Sequence, residues 1–503
     1  MDFSGKELIA ILLSDFYKQV HASQYDERIT KLVNYYTPRS TRIVDWQEVP
    51  VIGIQKWIKE YLIDNFNKNF FNLPLNDVLS MYQYVISETL ASEYVDIGRI
   101  TSLHNLGYLP LEIRALEEGT MCPIGCPMIE VSNTHDDFAW LVNNIETIEL
   151  SELWYPMVTA CVGKEYRKIA NEYYNLTCDD PELARSAFSD FGFRSLIGQE
   201  GANKASLGFL LSFNKTATIP AIWNIYQNYG DNIKSIGSGM ASTEHSVMCS
   251  SFSIDGDEIT SIKRLLKRKG KLSMVSDSYD YWNLVNNLLP QCKEEILSRD
   301  GTLYVRGDSG DPVEIVTETV FRLWEIFGGT INSKGYKVLD SHIRAIYGDG
   351  ITQRRAIRIY NILMQKGFSV ENVALGIGGF SMLIREGECK CGETTYSGFT
   401  RDTFGVAIKT TWGEYQISEK IGAYQGFDIF KDPKTDTNKL KKSQKGCCVV
   451  NDITGELLWE DGYTLTQAHQ HPNNILKPLF LNGELLRTTT FNEIRNRLWE
   501  GSF

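Results

Sequence analysis

Long apolar runs are missing from this chain: none reaches the ~18 residues a membrane span requires. The leading segment MDFSGKELIAILLSDFYK interrupts its short Ile/Leu run with Asp2, Lys6, Glu7 and Asp15, so it reads as neither anchor nor cleavable signal. Cysteine is sparse, ten in 503 residues, and Cys447-Cys448 and Cys389-Lys-Cys391 do not form the regular framework of a small secreted domain. A reducing, cytoplasmic compartment is the expectation. Cys122 and Cys126 flank Pro123, Gly125 and Pro127, which is turn chemistry, and no second cysteine pair completes a zinc-finger spacing. Positive charge is also in deficit, since 51 Lys and Arg against 63 Asp and Glu leave −12. That excludes a general electrostatic grip on nucleic acid or an anionic membrane, and any polyanion must be held by a local basic cluster. The one charge block, Lys439 to Lys445, reads as solvated surface. Gly376-x-Gly378-Gly379 is neither a GxGxxG nor a P-loop, because Lys and Ser/Thr do not follow.

What remains is a globular composition, 43% apolar and 23% charged, in a chain too long for a single core. The first ~150 residues mix signals: Ile54 to Phe71 is aromatic and amphipathic, and Leu109 to Val131 alternates like short antiparallel strands. After Trp154 the texture becomes βα-like. Leu272–Val275, Thr302–Val305, Ile343–Tyr347 and Val373–Leu375 are apolar strands, each running into a polar, glycine-bearing loop. Val313, Val316, Val320, Leu323 and Phe327 then recur at helical spacing, as do Ile357, Tyr360 and Met364 before a capping Gly367. The final ~100 residues return to hairpins at Asp452–Gly455 and Asn482-Gly483, with a last helix near Phe491 to Leu498. The expected fold is α/β: an irregular (β/α) barrel over 151–399, beside a discontinuous α+β domain built from 1–150 and 400–503. A barrel gathers such loops at the C-terminal ends of its strands, so their polar residues would converge at one mouth.

Those residues are Asp277, Arg306, Asp308, Asp349 and two glycine loops. Glycines let backbone N–H groups approach phosphate, while aspartates accept ribose hydroxyls or hold Mg²⁺ through water, so a phosphorylated sugar suits the set. Loops of this composition also serve simply as turns and helix caps. His245, in Ser242-Thr-Glu-His-Ser246, is compatible with a core histidine or with an acid, base or phosphate acceptor. Phe191 and Tyr17 are equally open to a packing role.

Taken in order, Asp15-Phe-Tyr-Lys18, Trp154-Tyr-Pro156, Asp190-Phe-Gly-Phe-Arg194, Glu244-His-Ser246, Val275-Ser-Asp-Ser-Tyr-Asp280, Arg306 with Asp308-Ser-Gly310, Gly348-Asp-Gly350, Thr400-Arg-Asp402 and Phe430-Lys-Asp-Pro433 resemble the nicotinamide phosphoribosyltransferase family of type II phosphoribosyltransferases. The resemblance implies a cytoplasmic homodimer with shared sites. In it, Phe191 and the partner subunit's Tyr17 would sandwich nicotinamide, with Arg194 and Ala217 bordering the base. Arg306, Asp308 and Asp277 would serve pyrophosphate. Gly348 and Asp349 would hold the ribose, and Gly378, Gly379, Arg39, Arg401, Lys409, Lys431 and Lys439 the 5′-phosphate. Mg²⁺ would arrive with pyrophosphate, its protein ligands left open, and ATP could phosphorylate His245. The implied reaction joins nicotinamide to a ribose 1-pyrophosphate in NAD salvage, nominally phosphoribosyl pyrophosphate giving nicotinamide mononucleotide; nucleic acid and membrane are not expected partners. The chain departs from the family pattern at Ala217, where an amide-binding aspartate is usual, and at Gly239, Phe380 and Ala407. It also carries an apparent insertion over about Leu383 to Gly398 with Lys390, Thr394, Thr395 and Tyr396. These departures leave two further readings: an ADP-ribose 1-pyrophosphate donor giving NAD directly, or a non-catalytic binding homologue.

Overall fold

The computed structural model describes the chain apart from residues 1–2, 349, 389–392, 419–421, 438, 440 and 502, and gives only the backbone of residue 388. Asp349, Cys389, Lys390 and Cys391 thus lie outside the described residues. Two compact units emerge, 1–158 with 400–498 and 159–399 with 499–503. The first boundary therefore falls at 158 rather than 150, and the last five residues group with the second unit.

The first unit is built on a seven-stranded antiparallel sheet. Its order is Ala423–Asp428, Val406–Ser418, Ile29–Pro38, Ile129–Asn133, Leu111–Ala115, Lys477–Leu481 and Glu484–Leu485. Residues from both chain ends alternate in it. Ile29–Pro38 is central and is buried without interruption from Leu32 to Pro38, as a strand covered on both faces must be. Its Tyr35 lies opposite Lys409 on one side and Glu130 on the other. The amphipathic segment after Gly53 is helical, with π geometry over Ile58–Asn65 and Asn67–Phe71. The last helix spans Phe491–Leu498.

The second unit contains six parallel strands: β1 (Phe188–Asp190), β2 (Ala241–Ser242), β3 (Leu272–Val275), β4 (Leu303–Gly307), β5 (Ile343–Tyr347) and β6 (Val373–Ile377). They lie in the order β1-β6-β5-β4-β3-β2. Isolated parallel bridges Asp190–Thr216 and Lys215–Ser238 carry the ring on from β1 to the segment leading into β2. The backbone N–H of Thr216 donates to Ser238 O at 3.2 Å and that of Ala217 to Asp190 O at 2.8 Å, so the sheet curls into an irregular barrel.

The helix after β4 shows why these segments alternate. Asp311 accepts the N–H groups of Val313 and Glu314, Pro312 occupies the first turn, and the stripe Val313, Val316, Val320, Leu323 and Phe327 is buried. After β5 the helix Gln353–Gln365 buries Ala356, Ile359, Tyr360 and Leu363 instead of Ile357 and Met364. Ile357 is exposed. Two apolar stripes at helical spacing overlap here at Tyr360, and packing selects the one with the small Ala356 at its start.

Candidate active site

β1 delivers the aromatic residue. Asp190, fully buried, accepts the Gly192 N–H at 2.9 Å and the hydroxyls of Ser206 and Thr216 at 2.7 Å each. The Phe191 N–H donates to Ile377 O at 2.8 Å. With the backbone fixed on both sides, the Phe191 ring lies against two glycines on neighbouring strand ends. A Cβ at Gly376 would overlap the ring, and one at Gly348 would stand 3.6 Å from it. The same point above Gly348 is 3.1 Å from Asp308 Oδ1 and 3.8 Å from Arg306 Cδ. An aromatic ring carbon, a carboxylate and a guanidinium stem therefore meet over one glycine. Gly379 is equally constrained: its N–H donates to Ser195 Oγ at 3.0 Å, and that hydroxyl donates to Gly192 O at 3.0 Å.

The loops after β3 and β4 are locked together. Asp277 Oδ2 accepts the Asp308 N–H at 3.1 Å and the Ser309 hydroxyl at 2.6 Å. Its Oδ1 is buried without a hydrogen-bond partner, on a side chain 5% exposed, and faces His245 Nε2 at 3.8 Å. His245 is 49% exposed, opens the helix His245–Asp255, and keeps Nδ1 3.2 Å from Ser278 Oγ. Glu244 accepts the Ser246 hydroxyl alongside. Arg306 donates from Nη2 to Thr243 O at 2.9 Å and holds Nε 4.0 Å from Asp308. A buried carboxylate oxygen left unbonded is costly unless a cation or donor meets it, and the group that faces this one is the His245 imidazole.

The first unit carries the cations. Burial, then Lys431 and Arg39, push the Lys409 ammonium down to about 8. Burial first and Arg401 second lower Arg39, whose Nε donates to Gly405 O at 3.2 Å. Arg39, Arg401, Lys409 and Lys431 thus form one cluster of like charge, offset in part by Asp402, which pairs with Arg401 at 3.3 Å, and by Asp436 and Glu146, and an anion bound there would relieve the rest. Lys439 instead pairs with Asp432 at 3.1 Å. Tyr17 is exposed, with His21 edge-on at 5.1 Å between centroids and the Lys18 ammonium 5.1 Å over its ring. Lys18 is itself buried against Glu146 at 2.6 Å. Partial burial, Glu146 and Asp15 raise the Tyr17 hydroxyl, and Arg401 opposes them.

A family model described as the nicotinate phosphoribosyltransferase (NAPRTase) family matches residues 186–471, more than half of the chain. The chain belongs to that family. It is an enzyme of the class, 35% identical over 99% of its length to 98% of a nicotinamide phosphoribosyltransferase from Acinetobacter baylyi. It is 30% identical to one from Mycoplasma genitalium, covering 89% of this chain and 96% of that one. The solved nicotinate-nucleotide pyrophosphorylase of Pyrococcus furiosus shares the fold at TM-score 0.57 and 13% identity, over 98% of this chain and 94% of that one.

Within this family member, Phe191, Gly348, Arg306, Asp308, Asp277 and His245 are linked by direct contacts through the second unit, whereas Arg194 and Ala217 are exposed at its surface. Gly378 caps the short helix Gly379–Leu383. Two positioning residues escaped the sequence reading. Asp190 anchors Phe191 from below, and Thr243 accepts Arg306 through its carbonyl and the Val275 N–H through its hydroxyl. Both stand inside motifs quoted there, Asp190-Phe-Gly-Phe-Arg194 and Ser242-Thr-Glu-His-Ser246, but neither was given a role.

Proposed function

We propose that this enzyme joins nicotinamide to the anomeric carbon of a ribose 1-pyrophosphate and releases pyrophosphate, in NAD salvage, with phosphoribosyl pyrophosphate as donor and nicotinamide mononucleotide as product. The observation that carries this is the convergence of Phe191, Asp308 and Arg306 over Gly348. The names of the full-length relatives support the choice of base. The pyridine nitrogen is already nucleophilic, so the base needs orientation more than deprotonation. A ring stacked on Phe191 gains about 1 kcal/mol beyond its burial and is held for in-line attack. Displacement builds positive charge on the sugar and negative charge on the leaving group. Asp308 and Asp277 tolerate the first and Arg306 the second. Magnesium, carried in with pyrophosphate, would supply charge neutralisation, and Asp277 and Asp308 are the carboxylates that would meet it. Arg39, Arg401, Lys409 and Lys431 suit the 5′-phosphate. Tyr17 suits the outer face of the base in a homodimer. The exposed His245 beside Asp277 and Ser278 suits a phosphoryl group from ATP; γ-labelled ATP should leave acid-labile label on the chain and none on His245→Ala.

A second donor reading rests on a separate observation. Phe380, just after Gly379, is exposed and meets exposed Tyr396 edge-to-face at 5.7 Å. Tyr396 sits on the hairpin Ile384–Glu388/Thr394–Gly398, tied down by the Arg385–Glu165 ion pair. Two solvent-facing aromatic rings beyond a phosphate loop suit a donor whose 5′ end continues into a base, as in ADP-ribose 1-pyrophosphate, with stacking worth about 1 to 3 kcal/mol. Parallel kinetics with both donors and nicotinamide, products read by mass, decide between them. Nicotinamide mononucleotide alone, unaffected by Phe380→Ala/Tyr396→Ala, supports the phosphoribosyl donor. NAD formation lost in that variant supports the larger one. No pyrophosphate release with either would leave a binding protein.

A further inference from the structure

The first unit holds a cavity of about 300 Å³, lined by Leu116, Glu117, Leu479, Arg487, Thr489 and Arg497 among others. Two arginines are aimed into it by backbone carbonyls. Arg487 donates to Pro478 O at 3.1 Å and Ala115 O at 3.0 Å, and Arg497 donates to Glu118 O. Their remaining amino groups, Nη1 of Arg487 and Nη2 of Arg497, converge on the carboxylate of Glu117, at 3.7 and 3.1 Å. The other two carboxylates on the wall are already engaged. Glu118 accepts the N–H groups of Gly53 and Gln55, and Glu493 those of Thr490 and the hydroxyls of Thr489 and Thr490. Glu117, 55% exposed, is the carboxylate in direct ion-pair contact with both arginines, while Glu118 and Glu493 act on them from farther off.

We propose that this cavity is a binding site for a small phosphate monoester, whose phosphate replaces the Glu117 carboxylate between Arg487 and Arg497 while its organic body rests on Leu116 and Leu479. Backbone-held guanidinium groups give up little freedom on binding, and two amino groups, one from each arginine, converging on one point can each donate to a different oxygen of a tetrahedral dianion. The volume stands at the lower end of small-ligand pockets and excludes a large cofactor. The cavity wall is preformed. Gly119, at φ +93°, lies so close to Ile494 O that any side chain there would push away the helix Phe491–Leu498. Both this cavity and the Lys409 cluster would take phosphate, so the test must separate them.

Calorimetric titration of the full chain with inorganic phosphate should show at least two binding events per chain, at the cavity and at the Lys409 cluster, besides any at the Arg306 pyrophosphate subsite. Arg487→Gln/Arg497→Gln should abolish one and retain the event that Arg401→Gln abolishes. Because Glu117 competes for the same arginines from an exposed position, Glu117→Gln should tighten the first event by about fivefold without loss of fold. Circular dichroism of the double variant checks that it is folded; if it is not, the Glu117→Gln measurement alone decides. A single event per chain, or phosphate affinity unmoved by Glu117→Gln, overturns the proposal.

Discussion

Asp190 touches no substrate in the reading above, yet it should control how tightly the base is held. Asp190→Asn keeps the side-chain volume and leaves the amide oxygen able to accept the Gly192 N–H. The amide nitrogen then faces the Ser206 and Thr216 hydroxyls, which must turn from donors into acceptors. Hydrogen bonds to a charged group are worth about 1.5 to 3 kcal/mol against about 1 for neutral ones, so exchanging three of them removes about 2 to 3 kcal/mol locally. In a unit of this size that lowers the melting temperature by about 4 to 12 °C. If about 1 kcal/mol of it is felt as looseness of the Phe191 ring, KM for nicotinamide rises about fivefold while kcat changes less. Steady-state kinetics and thermal melting read both numbers. The same substitution in a Phe191→Ala background should leave nicotinamide KM unmoved, because the ring it positions is gone. Unchanged KM for Asp190→Asn, or an equal effect with and without Phe191, would refute the positioning argument.

Gly376→Ala should displace the Phe191 ring and raise nicotinamide KM at least tenfold, with a loss of about 1 to 3 kcal/mol from overpacking measurable by urea unfolding. Lys409, held at about 8 by burial and by Lys431 and Arg39, loses its charge as pH rises through that value. Donor KM should therefore climb above about pH 8, and Lys409→Arg should flatten the climb. The unliganded enzyme should move the other way: between pH 8 and the ordinary lysine value the unfolded chain binds more protons than the folded one, so this residue makes stability increase with pH, readable by thermal melts.

The strand-to-loop grammar after β3, β4, β5 and β6 was legible because each strand is a short apolar run stopped by glycine or aspartate, and buried parallel strands write themselves that way. The clustering of Arg39, Arg401, Lys409 and Lys431 was available only through resemblance, since 362 residues separate Arg39 from Arg401 and no local pattern links them. The barrel was expected from the strand-to-loop repeat, but which segments close it was not legible. Closure rests on single bridges at Asp190–Thr216 and Lys215–Ser238, too short to leave any periodicity. The helix Gln353–Gln365 failed in phase, because Ile357 and Ile359 offer competing apolar stripes and only tertiary packing chooses. Asp190 was visible as a letter and invisible as an anchor, since its three donors come from residues 192, 206 and 216.

The sheet of the first unit imposes an order on how the protein is made. Ile29–Pro38 emerges early from a ribosome, but its longest partner, Val406–Ser418, follows only after about 370 further residues, and joining ends that far apart through an unstructured chain costs about 5 kcal/mol in loop entropy. Until then one edge of an apolar strand stands open to pair with whatever is near. The intervening segment, 159–399, holds all six parallel strands of the second unit and lacks only residues 499–503 of it, so it can compact before the chain is finished, shortening the loop that must close. Synthesis thus exposes a sticky edge for the time needed to translate the barrel, about 10 to 50 seconds at about 5 to 20 residues per second. During that interval chaperone capture of the nascent chain would centre on residues 32–38.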